Sequence, residues 1–193
     1  MNNIVLFGPP GAGKGTQAAK ISTKYGVHHI STGEIIREEI MKGTPLGKEA
    51  AGYIEKGHLA PDSLIIDMMI RYIQAHKDSK GILFDGFPRT VAQAEALDDI
   101  LRSMDEDIAL MISLDVPDEE LIMRITLRSQ YSGRSDDMDV AVITNRISVY
   151  KEQTSVVADY YDNQGKYFPV KGTGPVDEVF ESICEKIDFV IES

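Results

Sequence analysis

The fold is decided by residues 4–17, IVLFGPPGAGKGTQ, in which an apolar run gives way to glycines and then to a lysine. This order predicts a strand, a phosphate-binding loop and the start of a helix. Glycines let backbone N–H groups approach an anion closely, and the helix N-terminus adds a partial positive charge. Lys14 can then reach the β- and γ-phosphate oxygens of a nucleotide.

One position departs from the usual spacing of such a loop. The serine or threonine expected directly after Lys14 is replaced by Gly15, and the hydroxyl follows at Thr16. The side chain that usually binds Mg²⁺ is therefore displaced, which predicts a metal with few direct protein ligands. The alternative is a Gly/Pro-rich turn that binds nothing. We disfavour it because strand, lysine and helix start coincide.

Length and composition indicate one globular α/β domain. The chain has 193 residues, of which 42% are hydrophobic and 26% charged, and its net charge of −11 argues against binding to nucleic acid or an anionic membrane. The single cysteine, Cys184, can form neither an intramolecular disulfide nor a structural zinc site of four cysteines. Because the first strand begins within the first residues, we expect no signal peptide, and this together with the lone cysteine indicates a cytoplasmic location. We also expect a monomer.

Strands and helices alternate along the chain. We predict strands at about 4–7, 27–30, 81–85, 108–114 and 167–171, and helices at about 13–25, 31–41, 46–56, 62–77, 90–104, 117–128, 140–164 and from 175 onward. Ser31 with Glu34, and Asp62 with Ser63, are expected to cap their helices. The order predicts a P-loop three-layer αβα fold with a central parallel five-stranded sheet, in which Pro169 places the last strand at an edge.

Candidate functional residues follow the strands of this sheet. Ligands of parallel sheets bind at the carboxyl ends of the strands, so the phosphate loop, Asp85 and Arg89 should meet there. Asp85 ends a buried strand, where a carboxylate can bind Mg²⁺ or its waters, although it could equally cap a turn. His28, His29 and His58 have no acidic or cysteine companions at ligand spacing, so we interpret them as ordinary residues.

Most of the arginines border the same edge. Six of the eight lie in segments around it, namely Arg37, Arg89, Arg124, Arg128, Arg134 and Arg146. In a chain this acidic, six cations around one cleft indicate several phosphates bound together. Arg124 and Arg128 share a helix face, which could also be merely solvated. Arg146, near the start of a long helix, should have an anionic partner because the helix dipole disfavours a cation there.

Five motifs identify the family that the chain resembles. GPPGAGKGTQ, STGEIIR, EKGHLAP, FDGFPRTVAQAE and SGRSDD, in this order, are similar to adenylate kinases over almost the whole chain. The resemblance implies a core domain (1–30, 61–128 and 140–193), an AMP-binding excursion (31–60) and a short lid (129–139). The polar segment 129–139 shows no periodicity and should be an exposed loop. It has neither the length nor the cysteines of the zinc-binding lids of other relatives.

The resemblance also implies which residues bind which nucleotide. ATP would be bound by Gly11, Ala12, Gly13, Lys14, Gly15, Thr16, Arg124, Arg128 and Gly174. AMP would be bound by Thr32, Arg37, His58, Leu59, Ala60, Gly86, Phe87, Pro88, Arg89, Gln93, Arg134 and Arg146. Catalytic contacts to the transferring group would come from Lys14, Arg89, Arg128, Arg134 and Arg146, with Mg²⁺ held through water by Asp85.

These residue types suit phosphoryl transfer without any resemblance. An AMP phosphate oxygen is already anionic, so no general base is needed, and positioning and charge stabilisation suffice. The expected reaction is ATP + AMP ⇌ 2 ADP, with a closing lid that excludes water. A UMP/CMP kinase is the nearest alternative. Thr32 and Gln93 favour a purine, although Gln93 could instead complete a capping box with Thr90.

A P-loop switch ATPase or binding module is the more distant alternative. Such a protein should carry a hydroxyl directly after Lys14, where this chain has Gly15. A second arginine-rich site would also have no purpose in it. The sequence therefore favours a nucleoside monophosphate kinase.

Overall fold

A computed structural model describes residues 3–192. The strands are β1 (Asn3–Phe7), β2 (His28–Ser31), β3 (Ile82–Asp85), β4 (Ile108–Asp115) and β5 (Tyr167–Lys171). The α-helices are α1 (Lys14–Tyr25), α2 (Thr32–Lys42), α3 (Pro45–Ile54), α4 (Asp62–Ala75), α5 (Val91–Arg102), α6 (Asp118–Ser132), α7 (Val140–Val149), α8 (Val156–Asp162) and α9 (Val176–Ile191). A 3₁₀ turn (Ser135–Asp137) precedes α7, and a π-helical turn (Tyr150–Thr154) follows it.

The five strands form one parallel sheet in the order β2-β3-β1-β4-β5. This confirms the predicted fold class and places β5, with Pro169, at an edge. In the register of the sheet, Asp85 at the end of β3 pairs with Leu6 of β1 and with Ser31 of β2. The phosphate loop after β1 and the carboxylate after β3 therefore leave the sheet side by side.

Alternate residues of the strands pack into two cores, one on each face of the sheet. Val5 and Phe84 lie in a core with side chains of α4, α5 and α8, whereas Ile4 and Leu83 lie in a core with side chains of α1 and α9. Strands buried on both faces need apolar residues at successive positions, which explains the unbroken apolar runs in the sequence. Within residues 3–192, no helix is both long and apolar enough to span a membrane.

The helix boundaries correct three expectations. Helix α6 continues to Ser132 and ends at Gly133, whose φ of 63° suits a residue without a side chain. Residues 129–132 are therefore helical, so the prediction of an exposed loop over 129–139 is wrong. The single long helix predicted for 140–164 is interrupted by the π-helical turn, and α4 ends at Ala75 rather than Lys77.

Two predicted helix caps are also wrong. Ser31 is the N-cap of α2 but makes no side-chain capping bond, because it is still the last residue of β2 and lines a cleft. Pro61 rather than Asp62 is the N-cap of α4. Asp62 lies in the first helical turn, where its carboxylate accepts a hydrogen bond from Gln93 instead.

The packing of α2 on α3 gives a stability prediction. A Cβ at the buried Gly47 of α3 would lie 2.1 Å from the backbone oxygen of Glu39 in α2. Gly47→Ala should therefore lower the free energy of unfolding in urea by about 1–3 kcal/mol, as overpacking does. Gly52, on the same helix, has open space around it, and Gly52→Ala should raise stability by up to about 1 kcal/mol. Equal stability of the two variants would contradict the prediction.

Candidate active site

A cleft of about 500 Å³ opens at the carboxyl edge of the sheet. Its walls come from the loop after β1, the start of α2, the segment after β3 and the end of α6 with the turn that follows it. The arrangement follows from the parallel sheet, because the carboxyl ends of β1, β2 and β3 are neighbours.

Most of the predicted site residues line this cleft. They are Gly11, Gly13, Lys14, Gly15, Thr16, Thr32, Arg37, His58, Leu59, Ala60, Asp85, Gly86, Phe87, Pro88, Arg89, Gln93, Arg128, Arg134 and Arg146. Three do not line it, namely Ala12, Arg124 and Gly174. Ala12 is a buried residue of the phosphate loop itself, whereas Gly174 is exposed before α9 with a φ of 103°.

Lys14 is held inside the phosphate loop. Its ammonium group donates to the backbone oxygens of Gly8 and Pro9, at 2.8 and 2.9 Å. Burial lowers the pKa of Lys14 to about 8, the attraction of Asp85 opposes this shift, and the repulsion of nearby arginines adds to it. An anion bound in the loop would relieve both the lost hydration and the repulsion.

Asp85 is a buried carboxylate that attracts Lys14. Burial raises the pKa of its carboxyl, but His29, Lys14 and Arg89 outweigh this effect and hold the pKa below its ordinary value. His29 Nε2 lies 3.5 Å from Asp85 Oδ2, close enough for an ion pair, but without hydrogen-bond geometry. Residues 3–192 contain no group of three or more His, Cys, Asp or Glu that could hold a metal ion.

Three cleft arginines lie directly over glycines. A Cβ at Gly33 would come within 3.3 Å of the Arg37 guanidinium, and one at Gly86 within 3.2 Å of Arg89. A Cβ at Gly57 would meet Arg146 Cγ at 2.9 Å, and the φ of 74° there also disfavours a side chain. The absence of a side chain therefore sets how closely each arginine can approach the backbone.

A group of carboxylates and arginines joins α6 to α7. Asp137 accepts from Arg128 Nε at 2.7 Å and from Arg146 Nη1 at 2.8 Å, and Asp136 lies 2.9 Å from the same Arg146 nitrogen. The predicted anionic partner of Arg146 is thus confirmed, although Arg146 lies in the last turn of α7 and not near the start of a long helix as predicted. Arg128 is not merely solvated. Both aspartates are buried, which corrects their expected exposure, because a carboxylate paired with a guanidinium group can leave water.

Arg124 faces the outer side of the phosphate loop. It pairs with Glu120 and donates to the backbone oxygens of Ala12, at 3.3 Å, and Gly172, at 3.0 Å. It therefore connects the loop after β1 with the segment after β5. Gly174 lies two residues beyond Gly172 in the sequence, in the segment that Arg124 contacts.

Gln93 and Thr32 are both buried at the cleft. The Gln93 backbone N–H donates to Thr90 Oγ1 at 3.2 Å, which is one half of the capping box considered above. The other half is absent, because Gln93 Oε1 accepts from the backbone N–H of Arg89 rather than that of Thr90. The Thr32 hydroxyl contacts Met69 Sδ at 3.7 Å.

Reasoning from the sequence missed several residues that shape the cleft. Asp136 and Asp137 stand in the motif SGRSDD, and Gly33 and Gly57 in STGEIIR and EKGHLAP, yet none was assigned a role. A signal existed for the aspartates, since two acids beside a row of arginines invite pairing. No local pattern indicated the contact between Asp62 and Gln93, which are 31 residues apart.

The chain is similar to known proteins over most of its length. A sequence model described as adenylate kinase matches residues 6–166. A protein of Bacteroides fragilis named adenylate kinase is 50% identical over 188 residues, covering 97% of this chain and 99% of its own length. Proteins with the same name from Bacteroides thetaiotaomicron and Porphyromonas gingivalis are 50% and 45% identical, again over 97% of this chain.

The paired arginines give a prediction with a defined pH dependence. Burial raises the pKa of Asp137, but Arg128 and Arg146 outweigh this and lower it overall. Asp137→Asn removes the negative charge that pairs with the guanidinium groups of Arg128 and Arg146. It should lower the free energy of unfolding by about 1–3 kcal/mol at about pH 7.

The sign of the pH effect follows from the lowered pKa. The stabilisation by Asp137 is complete above the ordinary pKa of an aspartate and is lost as the pH falls through the lowered value. Urea unfolding should therefore give the same loss at about pH 7 and pH 5, and a smaller one near pH 3. Asp177→Asn, which removes an exposed pair with Lys20, is the control and should cost below about 1 kcal/mol. A loss for Asp137→Asn that does not change with pH would contradict the prediction.

Proposed function

The chain belongs to the adenylate kinase family, whose reaction is ATP + AMP ⇌ 2 ADP, and we propose that the cleft residues carry out this transfer in the roles given below. One observation supports these roles most strongly. In a chain of net charge −11, Lys14 and five arginines converge on one cleft of about 500 Å³. Such a cleft suits two polyanionic substrates that must be held together.

The phosphate loop forms the donor side of the cleft. Backbone N–H groups of residues 11–16 would bind the phosphates of ATP, with Lys14 moving from the loop carbonyl oxygens to the β- and γ-phosphates. Arg124 and Gly174, at the rim, would contact the adenine of ATP. Arg128 would contact the phosphates.

The acceptor side lies between β2, β3 and the start of α4. Arg37 and Arg89 would bind the phosphate of AMP, because both guanidinium groups line the cleft and are partly buried there. Thr32 and Gln93 would contact the base. The remaining predicted contacts, from His58, Leu59, Ala60, Gly86, Phe87 and Pro88, belong to the same wall.

Transfer requires positioning and charge stabilisation rather than proton abstraction. An AMP phosphate oxygen attacks the γ-phosphorus of ATP in line, and the bond to the β–γ bridging oxygen breaks, so two ADP molecules result. Negative charge spreads over the transferring group, where Lys14, Arg89, Arg128, Arg134 and Arg146 would stabilise it. Because Arg128 and Arg146 are paired with Asp136 and Asp137, phosphates must compete with these carboxylates.

The residues present fit a magnesium ion that enters with ATP. Mg²⁺ is usually bound by one or two carboxylates, waters and substrate phosphates, and Asp85 is a buried carboxylate held ionised at the cleft. A Cβ at Gly15 would lie 3.9 Å from Asp85 Oδ2, so the carboxylate adjoins the phosphate loop. Bound there through water, the ion would neutralise charge on the β- and γ-phosphates.

The domain divisions belong to the same proposal. We assign residues 31–60 to AMP binding and residues 129–139 to a short lid, with a core of 1–30, 61–128 and 140–193, of which residues 1, 2 and 193 lie outside the described range. Closure of the lid would exclude water and so protect ATP from hydrolysis. A monomer in the cytoplasm, bound neither to membranes nor to nucleic acid, agrees with the net charge and the lone cysteine.

A substrate panel tests the proposed function. With Mg²⁺-ATP as donor, ADP formation should be far faster with AMP than with GMP, UMP or CMP, because the polar groups at the base determine the choice. Coupled assays of initial rate measure this directly. Absence of ADP with AMP would contradict the function, and a preference for UMP would indicate a UMP/CMP kinase instead.

The lowered pKa of Lys14 predicts proton uptake on binding of ATP. In the free protein the pKa of Lys14 is about 8, and a bound triphosphate should raise it towards its ordinary value of 10.5. Calorimetry in buffers of different ionisation enthalpy should then detect uptake of most of one proton at about pH 9 and almost none at about pH 7. Lys14→Met should abolish the uptake at the higher pH. Uptake that is equal in both proteins would contradict the assignment.

A further inference from the structure

The side-chain amide of Gln93 is held at both ends. Its Oε1 accepts from the backbone N–H of Arg89 at 2.8 Å, and its Nε2 donates to Asp62 Oδ1 at 2.7 Å. Gln93 is only 2% exposed and lines the cleft. Asp62 does not line the cleft, so it contacts Gln93 from behind, at the junction of α4 and α5.

The chemistry of the two partners fixes which end of the amide is oxygen. A backbone N–H can only donate, and an ionised carboxylate can only accept. Rotating the amide by half a turn would place Oε1 against the Asp62 carboxylate and Nε2 against the Arg89 N–H. Both hydrogen bonds would be lost, and each would be replaced by a repulsive contact in a buried position.

The two contacts occupy half of the hydrogen-bonding capacity of the Gln93 amide. A glutamine amide has two donor hydrogens and two acceptor lone pairs, and Asp62 and Arg89 each occupy one. One N–H and one lone pair remain for a base bound in the cleft. The free N–H and the free lone pair cannot exchange places, because Asp62 and the Arg89 backbone N–H fix the orientation of the amide.

Purine bases differ in the order of their hydrogen-bond donor and acceptor groups, and so in the order that they require of the amide. The six-membered ring of adenine presents an amino donor beside a ring-nitrogen acceptor, whereas hypoxanthine and guanine present a carbonyl acceptor beside a ring N–H donor. An amide that can rotate is able to match either pattern. A locked amide matches one of them and leaves unpaired groups against the other.

Building on the proposed function, we propose that Asp62 is a positioning residue that locks the Gln93 amide and thereby selects AMP over 6-oxopurine nucleotides at the acceptor site. Asp62 does not touch the nucleotide. It acts through the orientation of Gln93 alone, and the backbone N–H of Arg89 supplies the second constraint.

Asp62→Asn tests the lock with almost no change in volume. An asparagine amide can donate as well as accept, so a rotated Gln93 would still pair with residue 62 and would lose only the hydrogen bond from the Arg89 backbone N–H. The preference for one orientation is therefore weakened by the substitution, although the Arg89 constraint stays in place. The probes are AMP and IMP, which differ at the 6-position of the purine and in the protonation of the neighbouring nitrogen. The ratio of kcat/KM for AMP to that for IMP should fall by about tenfold, mainly through the two KM values, while the KM for ATP is unchanged.

Two further variants separate positioning from stability. Asp67→Asn removes an exposed carboxylate from the same helix, α4, and should leave the AMP to IMP ratio as it is. In a Gln93→Ala background, Asp62→Asn should no longer change the ratio, because the group through which it acts is gone. If Asp62→Asn does not fold, Asp62→Ser, whose hydroxyl also donates and accepts, takes its place.

The outcomes distinguish this proposal from the proposed function. If the native chain forms no ADP from AMP, the function itself fails, and the lock fails with it. If the native chain forms ADP but the ratio is unchanged in Asp62→Asn, only the lock is wrong. The same holds if AMP and IMP lose activity equally, because Asp62 would then serve only the stability of α4.

Discussion

The cleft depends on keeping cations together in the absence of an anion. Lys14, Arg128 and Arg146 face one another across a space of about 500 Å³, and their mutual repulsion adds to the cost of burial. The protein limits that cost with carboxylates and backbone oxygens: Asp137 pairs with two arginines, and the loop carbonyls hold Lys14. In the proposed function, phosphate groups would replace these internal partners, so binding would exchange one set of charge contacts for another.

The parallel sheet brings the charged groups of the cleft together. Parallel strands deliver the phosphate loop, Ser31 and Asp85 to neighbouring positions at one edge, because their register pairs Asp85 with both Leu6 and Ser31. Side chains from distant parts of the sequence thereby become neighbours without any long loop. The helices α6 and α7 complete the cleft from outside the sheet, and their ion pairs join them to each other.

The sequence was sufficient for the sheet because its signals are local. Apolar runs mark β1, β3 and β4, and Pro169 marks the edge, since a residue without an N–H cannot sit in the middle of a central strand. Most of the residues that line the cleft could be predicted as well, because they stand directly after those strands in the sequence. The burial of Asp137 and the capping of α4 could not be predicted from the sequence. Each depends on a partner elsewhere in the chain, and residue patterns carry no information about which distant groups will meet.

The glycines beneath Arg37, Arg89 and Arg146 complicate the usual way of mapping function. Alanine scanning treats alanine as the residue with nothing to contribute, so a loss of activity is attributed to atoms removed. At Gly33, Gly57 and Gly86 an alanine adds an atom where a guanidinium or its stem already lies. A scan of this cleft would therefore assign to the glycines a chemistry that belongs to the arginines above them.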